Sequence, residues 1–265
     1  MRLVVSFAEV IKRGDGMNAL GKTHKGIKRA NNEDAYIILS ENISCLSNLY
    51  IVADGMGGHQ AGEVASQNAI KAFCDYVRNK ICEKDDILDF LTDGTKYANK
   101  QVFEESCGDP TYMGMGTTFT VCTIKKNKGY VSHIGDSRVY IINEDGIKVL
   151  TIDHSYVQEM VRAGELTQEE ADRHPKKNAL TRALGTGTNL QVDGYIFDVK
   201  QGDKILMCTD GLTNMIDDDE IKSIVMNSVN LDDATEELIR IANENGGTDN
   251  ITNILIEIAG DIDGA

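Results

Sequence analysis

The segment that most constrains this chain runs from Tyr50 to His59, where an apolar stretch ends in an aspartate and is followed by glycines. Apolar residues bounded by turn formers predict a buried strand, so Asp54 is expected where a rigid element stops. The glycines after it let the backbone approach a ligand or an ion closely. The pattern is typical of a cation site, although on its own a strand followed by a loose turn is the better interpretation.

Three further aspartates occupy similar positions in the sequence. Asp136 and Asp210 follow apolar, strand-like segments, Asp249 precedes one, and each lies close to glycine. Hard divalent cations such as Mg²⁺ and Mn²⁺ prefer carboxylate oxygens, with water completing their coordination. We therefore expect these three residues and Asp54 to converge on one metal site.

Six short motifs follow one another in an order that is typical of a known family. They are R-A-N-N-E-D at 29–34, D-G-M-G-G-H at 54–59, G-M-G-T-T at 114–118, G-D-S-R at 135–138, T-D-G-L at 209–212 and G-G-T-D-N at 246–250. Each motif alone is a weak signal. Together, over residues 20–258, they resemble the bacterial branch of the metal-dependent protein phosphatase 2C family.

The resemblance implies hydrolysis of phosphoserine and phosphothreonine in proteins, by attack of a hydroxide that bridges two Mn²⁺ or Mg²⁺ ions. Asp54 is implied as the ligand shared by both ions, with the Gly55 carbonyl as a further ligand. Asp210 and Asp249 are implied as ligands that complete the shell of the other ion. A third, looser ion is implied at Asp136 together with Asp210.

Three more residues receive roles from the resemblance. Asp34 is expected to orient metal-bound water, and Arg29 to bind phosphate, because a guanidinium can donate to two phosphate oxygens at once. Without the motif, Arg29 would be interpreted as part of a basic surface patch. His59 is the candidate general acid for the leaving oxygen. The animal and plant form of the motif, D-G-H-G-G, has its histidine where Met56 stands here.

A competing motif lies near the start of the chain. Residues 16–23, G-M-N-A-L-G-K-T, match the phosphate-binding pattern G-x-x-x-x-G-K-[ST] of nucleotide hydrolases. Such a loop leads directly into a helix whose N-terminus holds the phosphates. Residues 24–32 instead contain a glycine, several basic residues and no apolar stripe, which disfavours a nucleotide hydrolase.

Composition and length set the broad class. With 265 residues, 41% of them hydrophobic, and no low-complexity linker, we predict one catalytic domain at residues 20–258, a lead at 1–19 and a tail at 259–265. The lead could form an extra edge strand or remain unstructured. A formal net charge of −15 disfavours nucleic acid as a partner. We find no signal-peptide pattern and no apolar span long enough to cross a bilayer, so we expect a cytoplasmic protein without a membrane partner.

Six cysteines without C-x-x-C spacing predict reduced thiols rather than zinc ligands or disulfides.

Periodicity predicts an α+β domain. Helical patterns at 61–80, 84–105, 217–228 and 232–244 alternate with clusters of short strands. The resemblance adds that the strands form an antiparallel β-sandwich flanked by helices on both faces, an α-β-β-α arrangement. It also implies that polar residues 151–190 form a mobile flap that influences substrate entry, and an inert insertion is the alternative.

The partners implied are proteins phosphorylated on serine or threonine, with a serine/threonine kinase acting in the opposite direction, and we expect a monomer. Two other hypotheses remain at this level. A regulatory binding module that keeps the fold without turnover is weakened because every metal-ligand position is retained. An acidic calcium-binding protein would need the loop D-x-[DN]-x-[DN]-G, which the sequence lacks.

Overall fold

The computed structural model of the protein describes residues 11–12, 16–40, 42–58, 60–82 and 86–260. The strands in these ranges are β1 Ile11–Lys12, β2 Met17–His24, β3 Asp34–Leu39, β4 Leu49–Met56, β5 Gly116–Thr117, β6 Phe119–Lys125, β7 Lys128–Ile134, β8 Arg138–Asn143, β9 Gly146–Val149, β10 Asp193–Asp198, β11 Lys204–Cys208 and β12 Ile251–Ile258. The α-helices are α1 Ala61–Asn79, α2 Ile87–Gly108, α3 Tyr156–Arg162, α4 Gln168–Asp172, α5 Asp210–Thr213, α6 Asp218–Asn227 and α7 Leu231–Glu244.

The strands form two antiparallel sheets. The first has the order β1-β2-β12-β11-β8-β9, and the second has the order β10-β7-β6-β4-β3, with β5 paired to β4. Alternate side chains of the central strands face opposite ways, as the two-residue period of a strand requires. In β4, Tyr50 and Val52 pack in the core between the sheets, whereas Ile51 and Ala53 pack against the helices outside.

Helices cover the outer faces of both sheets. Helices α1 and α2 pack on the second sheet, and α6 and α7 pack on the first. Helix α1 presents Ala65, Ala69, Phe73 and Val77 at four-residue spacing, and all four are fully buried. Gly94 of α2 lets the two helices approach closely, because a Cβ there would lie 2.7 Å from the Phe73 ring. The predicted α+β class and α-β-β-α sandwich are confirmed.

Strand β2 contains the segment that matches the nucleotide-binding pattern. It pairs with β12 along its whole length, with Met17 opposite Ile258 and His24 opposite Ile251. A segment that forms a continuous ladder with its neighbour is not a loop that leads into a helix, so the structure excludes the phosphate-binding loop. The boundary predicted at residue 20 falls inside this strand.

The cysteines correct one prediction. The structure joins Cys45, in the connection between β3 and β4, to Cys82, just beyond α1, in a disulfide. Ser44 lies in the same contact and donates its hydroxyl to the Lys80 carbonyl at 3.0 Å. The expectation of reduced thiols is therefore wrong for this pair. The two cysteines are 37 positions apart and meet only when α1 docks on its sheet, so no local pattern indicates that they pair. Cys74, Cys107, Cys122 and Cys208 are free.

Residues 151–190 connect β9 to β10 and contain α3 and α4. Ser155 caps α3 by accepting a hydrogen bond from the Gln158 amide, and Thr167 forms a capping box with Glu170 at the start of α4. Isolated bridges tie Ser155 to Leu180, and Leu184 to Thr117 of β5. The segment is thus attached at its base beside the edge of the sandwich where Asp54 lies.

Among the helices that the structure describes, none combines the length and the apolar character that crossing a bilayer would require.

Candidate active site

Five aspartates that the motifs singled out lie together at one end of the sandwich: Asp34, Asp54, Asp136, Asp210 and Asp249. Asp34 and Asp54 face each other across β3 and β4. Burial raises the pKa of Asp54 well above its ordinary value, and the other four carboxylates raise it further. We call these five residues the aspartate centre, because the charges of the other four act on the Asp54 carboxyl.

Hydrogen bonds from the G-M-G-T-T motif fix the backbone of Asp54. The Asp54 amide donates to Thr118 Oγ1 at 2.9 Å. Its carbonyl accepts from the Thr118 amide and from Thr117 Oγ1, both at 2.9 Å. The two threonines therefore hold Asp54 in place, and β4 continues through Met56 because it pairs with β5. The expectation that β4 ends at Asp54 is wrong by two residues.

Gly55 is confined by the first turn of α1. A Cβ at this position would lie 2.0 Å from the Gly62 carbonyl oxygen and 2.6 Å from the Glu33 carbonyl oxygen. The Gly55 amide donates to that Glu33 oxygen at 3.2 Å. Only glycine fits here, so the glycine after Asp54 serves close backbone packing as well as any ligand.

Asp34 links the two sheets through its side chain. Its Oδ2 accepts from Thr209 Oγ1 at 2.9 Å and from Thr252 Oγ1 at 2.6 Å, whereas its Oδ1 is buried without a partner. Burial raises the pKa of Asp34 to about 7, although the two hydroxyls act in the opposite direction. Sequence reasoning assigned no role to either threonine. The apolar residues around each had indicated only a strand.

Asp210 shows the same incomplete bonding. Its Oδ2 accepts from Asn214 Nδ2 at 2.9 Å, and its Oδ1 is buried without a partner. Burial, followed by the charge of Asp249, raises the pKa of Asp210 to about 6, although side-chain hydrogen bonds act in the opposite direction. Buried carboxylate oxygens are normally paired, because removal from water is costly. An unpaired oxygen on each of two neighbouring acids indicates a site that a cation completes.

Asp136 lies in the tight turn between β7 and β8 and is buried. Burial raises the pKa of its carboxyl well above the ordinary value, and Asp210 and Asp153 add to the effect. The preceding Gly135 has φ +107°, and a Cβ there would lie 2.5 Å from Thr118. The turn therefore sits directly against the residues that hold Asp54.

Asp249 and Arg29 form an ion pair at the rim of the aspartate centre. Arg29 Nη2 lies 2.7 Å from Asp249 Oδ2, and the arginine side chain is half exposed. Asn250 fixes the loop that carries Arg29, since its Nδ2 donates to the Lys25 and Asn31 carbonyls, each at 2.9 Å. The last residue of G-G-T-D-N thus positions the arginine, a role that the motif alone did not reveal.

The structure describes His133 but not His59, the two histidines that lie within or beside the site motifs. His59, the candidate general acid, lies outside the described residues, and its assignment stays a prediction. His133 is fully buried, with Nδ1 2.8 Å from Thr120 Oγ1 and Nε2 3.2 Å from the Ile152 carbonyl oxygen. Burial lowers its pKa to about 3, so it packs as a neutral ring, as expected for a structural residue.

The donor set fits a hard divalent cation. Its side chains are carboxylates, two of their oxygens are buried and unpaired, and their pKa values are raised by burial first and by the neighbouring carboxylates second. Within the described ranges, no three His, Cys, Asp or Glu side chains stand close enough to enclose an ion as they are. One of the carboxylates, Asp249, is paired with Arg29.

Comparison with known proteins gives a consistent result. The sequence pattern described as Protein phosphatase 2C matches residues 21–256. Protein phosphatase PhpP of Streptococcus pneumoniae is 39% identical over 237 residues, which are 89% of this chain and 95% of PhpP. The serine/threonine phosphatase of S. agalactiae superposes with a TM-score of 0.85 at 35% identity, covering 91% of this chain and 99% of that one.

A further solved structure contains metal. It is the catalytic domain of the serine threonine protein phosphatase PstP with 2 manganese ions, which is similar to this chain with a TM-score of 0.78 at 30% identity. The alignment covers 91% of this chain and 97% of that domain. An α-β-β-α sandwich with an acidic centre at one end therefore defines a metal-dependent protein phosphatase. The chain belongs to the protein phosphatase 2C family, in its bacterial serine/threonine branch.

Proposed function

We propose that the aspartate centre hydrolyses phosphoserine and phosphothreonine in proteins and holds two Mn²⁺ or Mg²⁺ ions while doing so. Asp54, the Gly55 carbonyl, Asp210 and Asp249 are the proposed ligands. When bound, such ions supply an acidified water as nucleophile and offset charge on the phosphoryl oxygens. The observation that carries the proposal is the pair of buried, unpaired oxygens on Asp34 and Asp210.

Asp34 and Asp136 have supporting roles in the proposal. Two hydroxyls fix Asp34 through Oδ2, which leaves Oδ1 free to accept a hydrogen bond from water inside the centre. Asp136, together with Asp210, is the proposed holder of a third, looser ion. Its support is the electrostatic influence of Asp210 on the Asp136 carboxyl.

Arg29 is the proposed phosphate ligand. Its guanidinium sits at the rim beside Asp249 and is half exposed, so it can reach an incoming phosphoryl group. Its further N–H groups suit a forked contact to two phosphate oxygens. His59 is proposed to protonate the leaving serine or threonine oxygen, which histidine suits near neutral pH.

A cleft of about 860 Å³ provides a place for the rest of the substrate. It opens beside Asp136 and Asp210 and runs between the flap, which contributes Gln158 and Asn178, and the start of α6 at Asp217. A polypeptide segment laid in this cleft would bring a phosphorylated residue to the aspartate centre. The position of the cleft supports an influence of residues 151–190 on substrate entry.

The partners follow from the same proposal. We propose that the enzyme opposes a serine/threonine kinase, acts as a monomer, binds neither nucleic acid nor membrane, and resides in the cytoplasm. The net charge of −15 supports the exclusion of nucleic acid. A reducing cytoplasm would keep Cys45 and Cys82 as thiols, so thiol alkylation during cell lysis tests whether this disulfide forms in the cell.

The first experiment is hydrolysis of a phosphothreonine peptide by metal-stripped protein titrated with Mn²⁺ and then Mg²⁺. We expect metal-dependent turnover that Asp249→Asn lowers by about 100-fold, because several kcal/mol of transition-state stabilisation depend on the bound ions. Asp219→Asn is the matched control, since Asp219 is an exposed aspartate on α6. Absence of turnover in a folded, metal-binding protein would instead identify a regulatory binding module.

A further inference from the structure

The turn that carries Asp136 is held from both sides by two consecutive residues at the start of the flap. On the β8 side, Arg138 donates to Asp153, with Nε 3.0 Å from Oδ1 and Nη2 2.7 Å from Oδ2. On the β7 side, His154 bonds to Gly135. The turn is therefore tied on both sides to adjacent residues at the start of the flap.

His154 contacts Gly135 through both its backbone and its ring. The His154 amide donates to the Gly135 carbonyl at 2.7 Å, and the Gly135 amide donates to His154 Nδ1 at 3.1 Å. The histidine is 1% exposed, so water does not compete for these bonds. The backbone bond holds the Gly135–Asp136 peptide and the ring bond holds the preceding Ile134–Gly135 peptide, so His154 fixes Gly135 on both sides and thereby the start of the turn that carries Asp136.

The bond from Gly135 also determines which ring nitrogen carries the proton. Since Nδ1 accepts, Nε2 carries the hydrogen and donates to Asp193 Oδ2, which lies 3.1 Å away at the start of β10. The other oxygen of Asp193 accepts from Arg182 Nη1 at 2.8 Å. Hydrogen bonds from His154 and Arg182 lower the pKa of Asp193, although burial alone would raise it.

His133 completes this arrangement, with its ring centroid 4.8 Å from that of His154. We call His133, His154, Arg182 and Asp193 the flap-base network, because Arg182 lies near the end of the flap and His154 at its beginning. The Thr181 amide also donates to the His154 carbonyl at 2.8 Å, so the two ends of the flap meet at this histidine.

We propose that His154 is a positioning residue for Asp136: its ring holds the Gly135 amide, next to the turn, so that the Asp136 carboxylate can serve a third, loosely bound divalent cation. Asp193 and Arg182 set the orientation of the His154 ring. The proposal rests on the proposed function, since it takes Asp136 as a metal ligand. Residues that orient ligands in this way typically affect metal affinity by roughly 10- to 100-fold.

Two substitutions distinguish the hydrogen-bonding role of the His154 ring from a role in which the ring only packs in the core. The Oδ1 of an asparagine lies near the place of Nδ1, so His154→Asn keeps an acceptor for the Gly135 amide. The amide of a glutamine lies near Nε2, so His154→Gln keeps a partner for Asp193 and leaves the Gly135 amide unpaired. Both variants remove part of a buried ring, so a structural role alone would affect them similarly.

The test is a calorimetric Mn²⁺ titration of each variant, with thermal unfolding of the metal-free protein and kcat and KM for a phosphothreonine peptide alongside. We expect His154→Gln to weaken the loosest Mn²⁺ step by about 10-fold and to lower kcat more than it changes KM. His154→Asn should stay within about threefold of wild type. Equal Mn²⁺ affinity in wild type and His154→Gln overturns the proposal, as does equal weakening in both variants.

Asp136→Asn distinguishes a failure of this inference from a failure of the proposed function. If Asp136→Asn loses the loosest Mn²⁺ step while His154→Gln binds as wild type does, only the role of His154 is overturned. If Asp136→Asn itself binds Mn²⁺ unchanged, the proposed metal role of Asp136 fails, and the positioning role fails with it.

Discussion

The molecule contains two neighbouring buried polar clusters. They differ in whether the protein's own groups provide a hydrogen-bond partner for every polar side-chain atom. In the flap-base network, both ring nitrogens of His154 and both carboxylate oxygens of Asp193 have partners. In the aspartate centre, Asp34 and Asp210 each keep one buried oxygen without any. A complete network stabilises the fold, whereas an incomplete one stores unfavourable charge that a ligand can relieve.

This difference predicts opposite effects of mutation on activity and stability, and the largest is expected at Asp210. Asp210→Asn removes one carboxylate from the centre and should lower kcat by about 100- to 1000-fold, since it removes a proposed metal ligand. The same change should raise the unfolding temperature of the metal-free protein, because a buried like charge is lost. Activity assays and calorimetric melting measure the two effects. A lower melting temperature in the absence of metal would contradict the comparison.

The next effect concerns pH. Burial raises the pKa of Asp34 to about 7 and that of Asp210 to about 6 in the folded state, above the ordinary aspartate value. Their contribution to stability is therefore complete at low pH and is lost as pH rises through 6 to 7. The metal-free protein should melt several degrees lower at pH 8 than at pH 5, since 1 kcal/mol corresponds to about 2–4 °C in a domain of this size.

Mn²⁺ should reverse this loss, and its stabilising effect should be larger at pH 8 than at pH 5, because fewer protons compete for the carboxylates. Asp210→Asn is the control and should flatten the pH dependence of the metal-free protein. A melting temperature that rises from pH 5 to pH 8 without metal would show that the centre is not strained by its charge.

The smallest expected effect lies at the rim, where Arg29 partly neutralises Asp249. Arg29→Ala should raise KM for a phosphothreonine peptide by about 10-fold and change Mn²⁺ affinity less, because the side chain binds phosphate rather than metal. Arg29→Lys keeps the charge without the forked geometry, so its KM should lie between those of wild type and Arg29→Ala. Steady-state kinetics with a Mn²⁺ titration provides the measurement. An unchanged KM in Arg29→Ala would contradict the assignment of Arg29 as the phosphate ligand.

Much of the fold followed from local sequence patterns. The periodicity at 61–80 predicted α1 to within a residue. The pattern at 217–228 corresponds to α6, which Asp217 caps by accepting from the Glu220 amide at 2.8 Å. These elements depend on burial of one face and on capping groups a few residues away, which a short window of sequence contains.

The features that sequence reasoning missed depend on residues far apart in the chain. For residues 17–19 the sequence left an extra edge strand and an unstructured lead as alternatives, because their pairing partner, β12, lies at the other end of the domain. The Cys45–Cys82 disulfide forms where a connecting segment meets the end of α1. Neither has a local signal, since each is stabilised by a contact that exists only after the sandwich has assembled.

The sequence by itself determined the chemistry available to this protein: the order of its motifs identified the family and its aspartates specified hard oxygen donors. Only the tertiary structure decided how those donors are held. Thr252 donates to Asp34 across 218 positions of sequence, and the His154 ring accepts from the Gly135 amide, beside Asp136, from the base of the flap. Hydrogen bonds require partners within about 3 Å, and folding, rather than spacing along the chain, brings such residues together.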